Sequence, residues 1–184
     1  MATGQVGGVS SGGEKMSERF KSRKSWREKL ENPPAGLPKV VKVPPKWQKT
    51  MGGENILVPT PLLVDELIRK VTKKKLTTVG QIRKKLAQEY RAYSTCPLTV
   101  GIFLRIISEA AEEDRQSGKN LSRAQSREQV TPYWRVVKDD GSLNPKYPGG
   151  VEAHAARLKE EGHRIVPGKG KKPPKVAEFE KALA

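Results

Sequence analysis

The sequence has only one cysteine and no long apolar run. Cys96, alone among 184 residues, allows neither an internal disulfide bond nor a zinc site built from several cysteines, which suits a reducing cytosol. No apolar run approaches the ~18 residues that a membrane span requires. The Gly- and Ser-rich N-terminus lacks the apolar core of a secretory signal. These absences predict a cytoplasmic protein without a membrane partner, with association with the nucleoid as one variant of that location.

Acidic residues are scarce relative to basic ones. The chain has 20 Asp and Glu residues against 36 Lys and Arg residues, which gives a net charge of +16. A field of that sign attracts polyanions, chiefly DNA or RNA and less often an anionic membrane. Solubility alone is the simpler explanation, because a basic composition is not in itself a binding site.

Composition divides the chain into four segments. Residues 1–24 are rich in Gly, Ser and mixed charge, which predicts a disordered tail. Residues 25–58 predict a short helix and then an extended arm over the domain surface, where two prolines exclude a central strand. Residues 59–166 predict the ordered domain. Residues 167–184 predict a flexible basic tail, rich in Pro and Lys, that closes with a short helix.

The ordered domain is predicted to be mainly helical. Its apolar periodicity predicts helices over 61–71, 78–90, 97–115 and from Gly149 or Gly150 to Gly162. The second and third helices are joined by a short turn with basic residues nearby, as in a helix-turn-helix. A mobile loop is expected over 116–129 and a short strand over 133–137. The predicted fold class is mainly α and winged helix-turn-helix-like, with a short β element and flexible basic termini.

Three segments of this domain, in order, resemble the alkylguanine DNA alkyltransferase family. Thr77-Thr78-Val79-Gly80-Gln81-Ile82 resembles the family's Thr-Thr-Tyr-Gly-Glu-Ile, and Leu98-Thr99-Val100-Gly101 resembles its Arg-Ala-Val-Gly. The third segment is similar to the family's Ile-Pro-Cys-His-Arg-Val-Val run and the motifs after it: Thr131-Pro132-Tyr133-Trp134-Arg135-Val136-Val137, Asp140-Gly141-Ser142-Leu143, Tyr147-Pro148-Gly149-Gly150 and Glu161-Gly162-His163. The resemblance implies the family's C-terminal domain over about residues 61–165; the alternative is an unrelated winged-helix domain.

The residues that carry out alkyl transfer in that family are replaced here. The family uses a cysteine thiolate as nucleophile, assisted by a histidine and a glutamate. Tyr133 stands at the cysteine position and Trp134 at the histidine position. Glu161 matches the glutamate, and we expect it to be a solvated carboxylate with nothing to orient. Cys96 has no matched base beside it, so a buried inert thiol is favoured over a relocated nucleophile. The resemblance therefore implies a catalytically degenerate, alkyltransferase-like protein that is not an enzyme and needs no metal or cofactor.

The resemblance also assigns residues to DNA contact and to a base pocket. Leu98 replaces the family's arginine that fills the gap left by a flipped base; it is either a wedge between bases or, more often, a helix-core residue. Gly80 and Gly101 match positions where small size permits close backbone approach. The predicted DNA contacts are Arg83, Lys84, Lys85, Leu98, Arg105 and Arg135, the last also with a mainly structural role. The predicted pocket residues are Val79, Tyr133, Trp134, Tyr147, Gly149 and Gly150.

The predicted function is non-enzymatic DNA binding, in DNA damage recognition or DNA organisation, with double-stranded DNA as the partner. Two alternatives use the same scaffold: an RNA- or ribosome-associated basic protein, and a protein-interaction module. An enzyme with new chemistry in the pocket would need a metal or a titratable cluster. For that, the chain offers only Glu161, His154 and His163 as candidates.

Overall fold

The structure, a computed structural model, describes residues 24–117 and 130–184. Its helices are α1 (Trp26–Glu31), α2 (Pro45–Met51), α3 (Pro61–Arg69), α4 (Val79–Glu89), α5 (Pro97–Ser117), α6 (Gly150–Glu160) and α7 (Phe179–Ala182). Its strands are β1 (Lys39–Lys42), β2 (Asn55–Val58), β3 (Thr77–Thr78), β4 (Ser94–Thr95), β5 (Val136–Val137), β6 (Ile165–Val166) and β7 (Lys175–Val176), and a 3₁₀ turn covers Tyr133–Arg135. The mainly helical fold class is confirmed. The predicted tail before Lys24 and the predicted loop beyond Ser117 lie outside the described residues.

Helix α5 is the centre of the main core. One side of it is buried, through Val100, Phe103, Leu104 and Ile107. Helices α1, α3 and α4 pack against that side with their own apolar residues, which recur at helical spacing as the sequence predicts. Burying each such side chain contributes about 1.5–3 kcal/mol. In the part of the chain that the structure describes, no helix is both long and apolar enough to cross a membrane.

Side-chain caps fix where the helices of the domain begin. Thr60 accepts a hydrogen bond from Leu63 N at the start of α3. At the start of α4, Thr78 and Gln81 form a capping box in which each side chain bonds the other residue's backbone N–H. Thr78 is therefore the N-cap of α4. Each such cap contributes roughly 1 kcal/mol.

Residues 39–58 differ from the surface arm that the sequence predicts. Strand β1 runs antiparallel to β2, and β2 runs parallel to β4, so that β2 is central in a three-stranded sheet. The prolines fit this arrangement. β1 is an edge strand, and Pro45 is the first residue of α2, where its missing N–H leaves no bond unmade. Alternation over four residues was too short a signal to predict the pairing.

The C-terminal segment also differs from the predicted flexible tail. Strand β7 pairs antiparallel with β6, and Leu76 N donates to the carbonyl of Ala182. Val176 and Phe179 are buried in a second core with Leu76, Leu143 and Leu158. The high lysine and proline content hid this short apolar pattern. Only the short closing helix matches the prediction, as α7.

Two contacts join the first motif segment to the third. Strands β3 and β5 pair in parallel, with Thr77 opposite Val136 and Thr78 opposite Val137. Gly80 N donates to Asp139 Oδ1 at 2.6 Å, and a Cβ at Gly80 would lie at that same distance from this oxygen. A side chain at position 80 would therefore displace the Asp139 carboxylate, so the small size of Gly80 serves a side-chain contact and not the predicted backbone approach.

Candidate nucleic-acid interface

The turn between α4 and α5 is held rigidly by Arg83. Its guanidinium donates to the carbonyl of Thr95 at 2.9 Å and to Ser94 Oγ at 3.0 Å. Thr95 Oγ1 returns a bond to the carbonyl of Arg83 at 2.9 Å. These contacts fix the angle at which α5 leaves the turn. The guanidinium of Arg83 thus turns back to the turn, which four-residue spacing could not show, and the predicted phosphate contact at Arg83 stays a prediction.

The first two turns of α5 present an exposed apolar face. Leu98 is 69% exposed and Ile102 is 52% exposed. A Cβ at Gly101, which lies between them in sequence, would meet nothing within 4 Å. The interpretation of Leu98 as a core residue is therefore wrong, as is the expected close approach at Gly101. The inward positions of α5 are taken by Val100, Phe103 and Leu104, which leaves this face open to a partner.

Exposed cations occur on α5 itself and on two other segments of the domain. Lys84 and Lys85 are exposed on α4, and Lys73, Lys74 and Lys75 are exposed before β3. Arg105 lies one turn beyond Ile102 with a side chain that is 59% exposed. Its guanidinium lies 5.7 Å from the Trp26 ring centroid and 3.9 Å from Glu109 Oε1. Most of the side chain is nevertheless exposed to solvent. The exposed apolar face of α5 thus belongs to a domain that also exposes several cations.

Tyr133 is buried behind α5 with its hydroxyl engaged. The hydroxyl donates to Glu112 Oε1 at 2.7 Å, and Arg157 donates to the same oxygen. Burial raises the pKa of Tyr133 above its ordinary value, and the bond to Glu112 acts in the same direction. The phenol is therefore neutral at physiological pH. A neutral phenol is a poor nucleophile, whereas attack on an alkyl carbon in the alkyltransferase family uses a thiolate.

An aromatic cluster surrounds Tyr133. Its ring meets the rings of Trp134 and Tyr147 edge to face, at centroid distances of 5.4 and 5.2 Å. The Arg157 guanidinium lies 4.8 Å from the Trp134 ring centroid. Tyr147 is itself buried, and burial raises its pKa. Two of the predicted pocket side chains, Tyr133 and Tyr147, are thus buried core residues.

The glycines of the predicted pocket shape the entry to α6. Gly149 and Gly150 both have positive φ, of 73° and 66°. Gly150 N donates to the carbonyl of Tyr147 at 2.8 Å, and a Cβ at Gly149 would lie 2.6 Å from Ala153 Cβ. Val79, the remaining pocket residue, is half-buried in the first turn of α4. The pocket residues therefore build the loop and helix ends around the cluster.

Glu161 is a buried structural carboxylate. It is 8% exposed and accepts bonds from Trp134 Nε1 at 2.9 Å, from Lys74 N at 3.1 Å and from Arg135 Nη2 at 2.8 Å. Burial acts to raise its pKa, but the bonds from Arg135, Trp134 and the Lys74 backbone prevail and hold the pKa below its ordinary value. The expectation of a solvated carboxylate is therefore wrong.

Arg135 is committed to the same cluster. It pairs with Glu161, and its Nη1 donates to the carbonyl of Val71 at 2.6 Å. Its side chain is 14% exposed. The predicted DNA contact at Arg135 is wrong, whereas its predicted structural role fits these bonds. The sequence could not predict this cluster, because Glu161 is far along the chain from both Lys74 and Arg135.

The histidines and Cys96 occupy structural places. Asn144 N donates to His154 Nδ1 at 3.2 Å, so His154 Nε2 carries the proton and donates to the carbonyl of Trp134 at 2.7 Å. Burial lowers the pKa of His154 to about 4. His163 Nε2 is buried without a partner among the described residues, and burial lowers its pKa also. Cys96 is buried beside Val43 and Ile56 in a separate small core.

The described residues contain no group of three His, Cys, Asp or Glu side chains placed to hold a metal ion. The candidates that the sequence offered for new pocket chemistry are therefore not gathered into a metal site. Glu161 and His154 are instead satisfied by neighbours, as described above.

Among known proteins, no family model and no curated protein matches the chain. Two solved structures are similar to it over 67% of this chain and 93% of theirs, each with a TM-score of 0.44. One is S. pombe Atl1 in complex with damaged DNA containing O6-carboxymethylguanine, at 19% identity. The other is S. pombe ATL in complex with DNA, at 17% identity.

Proposed function

We propose that the chain is a non-enzymatic, alkyltransferase-like protein that binds double-stranded DNA through the exposed face of α5. The observation that carries the proposal is the exposure of Leu98 and Ile102 on a helix whose other side is core. Exposed apolar side chains on a helix can wedge against base steps. Lys84, Lys85 and Arg105 would contact the phosphates on either side, which supplies sequence-independent affinity.

The buried cluster supports the absence of alkyl transfer. The Tyr133 hydroxyl donates to Glu112, and His154 is held in the core with its two ring nitrogens engaged. The chain therefore lacks an activated nucleophile at this position. Incubation with DNA that carries a labelled alkylguanine should leave the protein unlabelled, and label on Cys96 would overturn this part of the proposal.

The DNA contact is tested with a surface variant that leaves the core intact. Replacing Leu98 and Ile102 together with glutamine should weaken binding to a blunt duplex at least about tenfold, since burying even one such side chain is worth about 1.5–3 kcal/mol. The matched control is Leu62→Gln, an exposed leucine on α3, which should bind as the wild type does. Fluorescence anisotropy across salt concentrations measures both variants. Equal affinity of the two variants would remove α5 from the interface.

The salt dependence of DNA binding tests the predicted contacts of Lys84 and Lys85. Replacing Lys84 and Lys85 with glutamine should reduce the slope of log K against log salt by about two, because each phosphate contact contributes about 0.9. Competition with structured RNA in the same assay tests the RNA-associated alternative.

The exposed pair Leu98 and Ile102 also suits a protein-interaction module. That alternative predicts binding that depends on the apolar pair but hardly on salt, because burial of apolar surface is not screened by ions. The salt slope of the wild type therefore decides between the two functions.

A further inference from the structure

A second surface of the protein joins exposed lysines to exposed aromatic rings. Lys39 and Lys42 are exposed on β1, and Lys46 and Lys49 are exposed on α2. Trp47, between the last two, is 49% exposed. No acidic residue occurs between Glu31 and Glu54. The segment therefore concentrates positive charge around an indole ring that the fold leaves open.

Protection of a sheet edge explains only part of this pattern. Lysines on an edge strand discourage pairing with another chain, which accounts for Lys39 and Lys42 on β1. Lys46, Trp47 and Lys49 lie on a helix, where no ladder needs protection. Helix α2 has no fully buried residue, and its Met51 packs against the small core of Val43, Ile56 and Cys96, whereas Lys46, Trp47 and Lys49 remain exposed. The exposed Trp47 ring is thus explained neither by protection of a sheet edge nor by packing of the core.

The surface continues towards the N-terminal end of α5 through Tyr93. A Cβ at Gly53, just after α2, would lie 2.5 Å from Tyr93 Cβ, and Tyr93 N donates to Asn55 Oδ1 at 2.9 Å. Tyr93 is 69% exposed. It precedes β4, which pairs with β2 and ends two residues before α5. Lys39 lies three residues before Lys42 on β1 and so points to the other face of the sheet. We call Lys42, Lys46, Trp47, Lys49 and Tyr93 the lysine–aromatic surface.

We propose that the lysine–aromatic surface binds an unpaired stretch of nucleic acid. Trp47 and Tyr93 stack on the bases, and the lysines hold the phosphates between them. Stacking of bases on aromatic rings beside a positive groove is the usual mode of single-strand binding, and it tolerates any sequence. An acidic protein segment would satisfy the lysines but would leave both rings without planar partners. The inference rests on the proposed duplex contact at α5, because together they place the protein where duplex meets single strand.

The test compares a blunt duplex with the same duplex carrying a single-stranded thymine extension of ~10 nucleotides, within the range of one single-strand site. We expect the wild type to bind the extended duplex more tightly. Trp47→Leu should weaken binding to the extended probe roughly 5- to 100-fold by removing the stacking partner. It should leave affinity for the blunt duplex unchanged, whereas Trp47→Phe, which keeps a ring, should retain most of the preference.

A charge control separates this surface from general attraction. Lys46→Gln with Lys49→Gln should reduce the preference for the extended probe, while Lys171→Gln with Lys172→Gln, which removes the same charge from exposed positions elsewhere, should not. Equal wild-type affinity for the two probes, or an unchanged preference in Trp47→Leu, would overturn the inference, as would tighter binding of polyglutamate than of either probe. If the wild type does not bind the blunt duplex but binds the extended probe with an affinity that Trp47→Leu lowers, the duplex contact at α5 is refuted and the lysine–aromatic surface is supported.

Discussion

Replacing Glu161 with glutamine removes the negative charge from a buried cluster. The wild-type carboxylate accepts bonds from Trp134, Arg135 and the Lys74 backbone. Glutamine has nearly the same size, but it offers one acceptor oxygen and an amide that donates. Arg135 then keeps its charge at a place where its side chain is 14% exposed, without a counter-charge.

The loss of stability follows from that uncompensated charge. Removing one partner of a buried ion pair costs about 3–5 kcal/mol. Arg135 still donates to the Val71 carbonyl and lies 6.0 Å from the Trp134 ring centroid, so the lower end, about 3 kcal/mol, applies. For a domain of this size, each kcal/mol lowers Tm by about 2–4 °C, so we expect a fall of about 6–12 °C.

Urea denaturation and thermal unfolding measure the change. The matched control is Glu160→Gln, which alters the exposed neighbouring residue and should change stability by less than about 0.5 kcal/mol. If Glu161→Gln costs less than about 1 kcal/mol, the cluster is not the buried ion pair described here and the reasoning fails.

The difference in stability between the wild type and Glu161→Gln should depend on pH. Because the folded-state pKa of Glu161 is depressed, its contribution is fully present above the unfolded-state pKa, ~4.3. That contribution is lost as the pH falls through the lower folded-state pKa. The stability gap between wild type and Glu161→Gln should therefore be constant near neutral pH and narrow below about pH 4.

Three further predictions concern single contacts. Tyr133→Phe removes a donor to a buried carboxylate and should cost about 1.5–3 kcal/mol in urea denaturation; unchanged stability would contradict that bond. Arg83→Gln should cost about 1–3 kcal/mol while leaving the salt slope of DNA binding unaltered, since its guanidinium bonds the turn; a smaller slope would restore it as a phosphate contact. Phe179→Ala should cost about 3–5 kcal/mol by opening the second core, and a neutral result would show that the C-terminal segment is not part of the fold.

Local signals in the sequence determined the helices of the domain. Apolar residues at three- and four-residue spacing and the glycines at the start of α6 act over a turn or two of chain, so they can be read without knowing what lies opposite. The same local character explains why the predicted flexibility of the C-terminal segment is wrong. Composition alone predicted a flexible C-terminal tail, although Val176 and Phe179 are buried in the second core.

Only the tertiary structure decided which charged and apolar side chains are exposed. Arg83 and Arg135 are basic residues of the type that contacts phosphate. Both side chains turn inward because the fold brings carbonyls or a carboxylate within their reach. Leu98 is an apolar residue of the type that fills a core, yet it is exposed because other residues fill the core side of α5. Burial depends on which elements pack together, and those contacts join residues too distant along the chain for any local pattern to record.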